Sequence, residues 1–118
     1  MLHLIFAGLV TVTVSPMVCH EPCQLIVRIK VEPARDNHVV VLQIDGESFS
    51  SSTQLNVAPS CYDKDGKEVC NYPPSTTQIR FPKVPGGDYV VAAVLIKHDG
   101  KTWEAGHDAK RVKVVSTD

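Results

Sequence analysis

The sequence predicts an all-β fold, an antiparallel sandwich of about seven strands. Three observations predict it. Apolar and polar residues alternate with period two along several short stretches. Clusters of Gly, Pro, Asn and Asp separate those stretches. After residue 20 there is no apolar stripe of helical period and no capped helix start.

The chain has 118 residues, enough for one domain. Its first charged residue is Glu21, and the run from Leu4 to Val14 is almost wholly apolar or hydroxylic. That pattern predicts a cleavable leader over residues 1–19, a domain over 20–118, and a secreted or periplasmic location. The run is too short and too rich in threonine for a membrane span. Two alternatives stay open. Val10 to Val14 also alternates as a first strand would, and Cys19 could carry a lipid anchor.

From residue 24 the elements follow in order. Leu25, Val27, Ile29 and Val31 point one way, with Arg28 and Lys30 opposite, so 24–31 reads as a half-buried strand. Pro33, Asp36 and Asn37 make the turn. Residues 38–44 form a second strand with Val40, Leu42 and Ile44 inward, closed by Asp45 and Gly46. The serine-rich stretch 47–55 reads as a weak edge strand, and 56–76 as a long stapled loop. Residues 77–81 resume the alternation through Ile79 and Phe81. The segment 82–87, with two prolines and two glycines, is expected to be a turn. Residues 88–97 are the most apolar stretch and predict a central strand. A turn at His98, Asp99 and Gly100 leads into 101–105, and 110–115 closes the fold.

Cys19, Cys23, Cys61 and Cys70 form an even set in a chain expected to be exported, which predicts disulfides. Three pairings are possible. Cys61 with Cys70 is favoured because the turn sequence from Asp63 to Lys67 folds the chain back between them. Cys19 would then pair with Cys23, unless cleavage removes Cys19 and leaves Cys23 free. The rival reading is a zinc or copper site on Cys19, His20 and Cys23, but a second ligand pair at finger spacing is missing.

The segment Val84-Pro-Gly-Gly-Asp-Tyr-Val-Val91 resembles a signature of immunoglobulin-like and fibronectin type III-like modules. The resemblance extends to secreted bacterial domains of that kind and covers most of residues 20–118. It implies an immunoglobulin-like sandwich in which Tyr89 forms a structural corner, its hydroxyl bonding back to the preceding loop. Trp103 follows all four cysteines, so the Cys…Trp…Cys spacing of antibody domains is absent. A resemblance of this kind implies a fold and no activity.

Chemistry is sparse. Ser48 and Ser50 to Ser52 lack a nucleophile-elbow motif. Asp63, Asp65, Gly66 and Glu68 are similar to part of a calcium loop without its remaining ligands. The formal charge of -1, with both signs interspersed, offers no basic stripe for nucleic acid. The chain is therefore expected to be no enzyme, to need no cofactor, and to bind a protein or carbohydrate partner. Tyr62, Tyr72 and Trp103 are the candidate binding aromatics. The alternative function is periplasmic copper or zinc binding through His20, His98 and His107.

Overall fold

The computed structural model describes residues 10–97 and 107–116. Those residues form ten strands and no helix. One sheet holds β1 (Val10–Ser15), β3 (Cys23–Val31) and β8 (Thr76–Val84), with β3 in the middle. The other holds, in spatial order, β2 (Val18–His20), β10 (His107–Val115), β9 (Gly87–Lys97), β4 (Asn37–Gly46) and β5 (Ser50–Asn56). A separate hairpin is made by β6 (Ser60–Lys64) and β7 (Lys67–Asn71). All pairings are antiparallel except β2 with β10.

The alternation legible in the sequence builds the core. Leu25, Val27, Ile29 and Val31 are buried on β3, facing Val40, Leu42 and Ile44 of β4 and Tyr89, Val91, Ala93 and Leu95 of β9. Val12 and Val14 of β1 and Val112 and Val114 of β10 close one side. Each such aliphatic side chain contributes about 1.5–3 kcal/mol on burial, most of it offset by the entropy of ordering the chain. β9 is central, between β10 and β4, as its apolar run predicts.

The sandwich begins earlier than residue 20. Val10, Val12 and Val14, placed inside a leader by their apolar run, take the strand conformation their alternation also allowed. They pair with β3 over Val10↔Val31 to Ser15↔Ile26. The chain then passes the cis Ser15–Pro16 bond and joins the opposite sheet as β2. A leader ending at residue 19 is not shown by this arrangement.

Two further expectations are corrected. The segment 56–76 is not one long loop: it contains β6 and β7, paired from Ser60↔Asn71 to Lys64↔Lys67. The turn expected over 82–87 is shorter, because β8 runs on through Pro82 to Val84. An edge strand tolerates the missing N–H of proline on its open side.

Polar groups at the margins are satisfied. Buried Asn37 donates from Nδ2 to the Glu32 carbonyl at 2.9 Å and accepts at Oδ1 from Lys97 Nζ at 2.8 Å. At the β1 edge, the Val12 N–H donates to the Asp108 carboxylate on β10 at 2.9 Å. Burial alone would raise the Asp108 pKa. The Val12 hydrogen bond, Lys110 and the Ala109 N–H outweigh it and hold the carboxyl below its usual range.

Candidate functional site

The hairpin β6–β7 is the part of the molecule least explained by folding. Every residue of β6 is exposed, and its strand partner is β7 alone. Asp65 and Gly66 form its tip with φ of 53° and 79°, the left-handed pair that a tight two-residue hairpin turn requires. The Cys61–Cys70 disulfide joins directly opposed residues. Near the tip, one pair in from Lys64 and Lys67, Glu68 is held by Arg35, which ties the hairpin to the turn between β3 and β4.

Because side chains alternate along a strand, the ribbon has two unlike faces. Cys61, Asp63, Glu68 and Cys70 share one. Tyr62 and Val69, directly opposite each other, share the other with Lys64 and Lys67, also opposite each other. Like charges placed directly across a β-ladder are destabilising. The disulfide offsets that cost within a ribbon that buries little. The Tyr62 face thus offers an apolar spot beside two cations, held open by a covalent staple.

The remaining sequence candidates are placed as follows. Tyr72 follows β7 and is exposed, and it lines a shallow dimple with Pro33, Asn37, Val57 and Pro73. His20 is exposed at the end of β2, and His107 opens β10. His98 and Trp103 lie outside the described residues. Ser50 donates to Asp45 Oδ1 at 3.0 Å. Among the described residues, one potential metal-ligand group is gathered, Cys61, Glu68 and Cys70. Its thiols are joined in the disulfide and its carboxylate is held by Arg35.

Cys19 and Cys23 form the second disulfide, so both favoured pairings are present. Bonds of this kind persist in oxidising surroundings and are consistent with an extracellular or periplasmic location. Among the described residues no helix is long and apolar enough to cross a membrane.

Tyr89 does not face a site. Its ring is buried, and its hydroxyl donates to the Pro85 carbonyl at 2.7 Å. Burial, and secondarily the Glu21 carboxylate, push its pKa above the ordinary tyrosine value. Glu21 Oε1 also accepts the Gly86 N–H at 3.0 Å, so it braces the same turn.

No protein-family model matches the chain, and no curated protein matches it. A solved structure of a protein described as a superoxide reductase, from Thermotoga maritima, is similar with a TM-score of 0.50 and 10% identity, over 92% of this chain and 86% of that one. The likeness is one of fold. It corrects one expectation all the same. The absence of a catalytic motif does not support reading the chain as a non-enzyme, since a protein of similar fold is described as an enzyme.

Sequence reasoning named Tyr62 but missed Val69, Lys64 and Lys67. The signal that could have found them was the two-residue turn at Asp65-Gly66 flanked by equal arms, which fixes the register. Met17, Val18 and Val90 form a second exposed apolar spot beside β10, and the first two fall within the stretch whose apolar run predicts a leader.

Proposed function

We propose that the chain is an exported immunoglobulin-like module that binds an acidic protein surface through the Tyr62 face of its hairpin. The immunoglobulin-like reading is supported by the first strand, divided between two sheets, and by the tyrosine hydroxyl bonded back to the turn before it. Export is supported by the two disulfides. A cut after Cys19 would remove β1, most of β2 and half of one disulfide.

One observation carries the binding role: the hairpin places Tyr62 with Val69 and Lys64 with Lys67 on one open face and is stapled by Cys61–Cys70. A rigid aromatic anchor loses little freedom on binding, and flanking lysines favour a partner with carboxylates around an apolar spot. A carbohydrate would use the aromatic without needing both cations.

The test is a photo-crosslinking amino acid at position 62 in chain expressed in its native host, with Lys30 on β3 as the control position. A protein adduct from position 62 alone, lost in K64E/K67E and at raised salt, supports the reading. Equal labelling from both positions, or glycan-array binding that K64E/K67E leaves unchanged, contradicts it.

A further inference from the structure

We infer that β5 is a self-pairing edge, through which two copies of this chain join their larger sheets into one. Among the described residues the sandwich has four sheet edges, and three are protected. β1 has its Val12 N–H taken by Asp108. β2 is three residues long. β8 carries Arg80, Pro82 and Lys83, the charges and proline that natural edges use against pairing. β5 has none of these devices. Its seven residues, Ser-Ser-Ser-Thr-Gln-Leu-Asn, include no charge and no proline, and its ladder to β4 shows no register shift.

The occupant follows from self-complementarity. Antiparallel pairing about a two-fold axis at Thr53 sets Thr53 against its own copy, Ser52 against Gln54, Ser51 against Leu55 and Ser50 against Asn56. No charge meets its like, and the residues facing the core side, Ser51, Thr53 and Leu55, stay on one face. The rim between β5 and β8 is apolar as well. Leu55, Phe49 and Phe81 are half-buried against the core, with the two phenylalanine rings edge to face at 6.3 Å. A second copy extending the sheet covers that rim. The pairing is small beside a standard interface, so it forms a reversible dimer.

Sedimentation velocity of the full chain over a concentration series tests this. The expected result is a monomer–dimer equilibrium nearly insensitive to salt, because no ion pair holds it. S52K/Q54K changes two exposed residues and sets lysines against each other in both cross-strand pairs, weakening association by about tenfold or more. S52E/Q54E does the same, and mixing the two variants restores dimer. Hydrogen exchange on the unmodified chain gives an independent readout, with β5 amides gaining protection as concentration rises. A chain monomeric throughout, a dimer indifferent to S52K/Q54K, or variants that fail to pair when mixed would overturn the inference.

Discussion

The ring of Tyr89 lies across Gly46, its directly opposed partner on β4. A Cβ built on Gly46 would collide with Cδ1 and Cε1 of that ring. Glycine is therefore required at 46 for space, with the aromatic covering the backbone it leaves bare. Phe49 meets the same ring edge-on at 6.4 Å. One side chain thus joins the β4–β9 ladder, the turn after β4 and the Pro85–Gly86 turn.

Gly46→Ala should destabilise the fold by about 1–3 kcal/mol, the usual range for overpacking a full core. Urea unfolding followed by fluorescence measures it. A change within error would mean that Tyr89 can move aside.

Tyr89→Phe keeps the ring and removes the bond to Pro85. The expected loss is about 1–2 kcal/mol. The raised pKa of Tyr89 adds a pH signature. Its folded value lies above the unfolded value of about 10, so its contribution is full below pH 10 and is lost as pH rises through the folded value. Ultraviolet titration should show an ionisation above the ordinary tyrosine range that Tyr89→Phe abolishes.

Asp108→Ala leaves the Val12 N–H at the β1 edge without its acceptor and should cost about 1–3 kcal/mol near neutral pH. Here the folded pKa is depressed. The contribution is present above the unfolded value of about 3.9 and disappears as pH falls through the lower folded value. Denaturation of both proteins across the acid range should show their stabilities converging there. A gap that persists in strong acid would assign the loss to packing instead.

Much of the fold was legible because residues 24–31, 38–44 and 77–81 have one wetter and one drier face, which period-two alternation records, and because the apolar, β-branched run 88–97 suits a central strand. β1 was ambiguous for a physical reason: Val10-Thr-Val-Thr-Val14 is apolar enough for a leader and alternates well enough for a strand. β6 and β7 were illegible because neither buries a face. Their ladder is specified by the Asp65-Gly66 turn and a disulfide, and neither leaves an apolar period to read. The Tyr62 face inherited that blindness, since its four members are recognisable as neighbours only once the register is known.

The two disulfides should behave in opposite order to loop entropy. Closing the shorter loop at Cys19–Cys23 is worth about 2 kcal/mol in the chain-entropy account, and the longer one at Cys61–Cys70 about 3 kcal/mol. Cys23 is buried in the core, however, whereas Cys61 lies on the exposed hairpin. C19S/C23S should lower the melting temperature of the sandwich clearly. C61S/C70S should leave it nearly unchanged and instead speed proteolysis within residues 60–71.

The decisive measurement is thermal unfolding of a variant in which residues 60–71 are replaced by a short Gly-Ser connection. If the hairpin serves display and the sandwich stands without it, the variant unfolds in one cooperative transition with its midpoint within a few degrees, a change of about 1 kcal/mol or less. A variant that aggregates or melts without cooperativity would show that the hairpin is part of what holds the two sheets together.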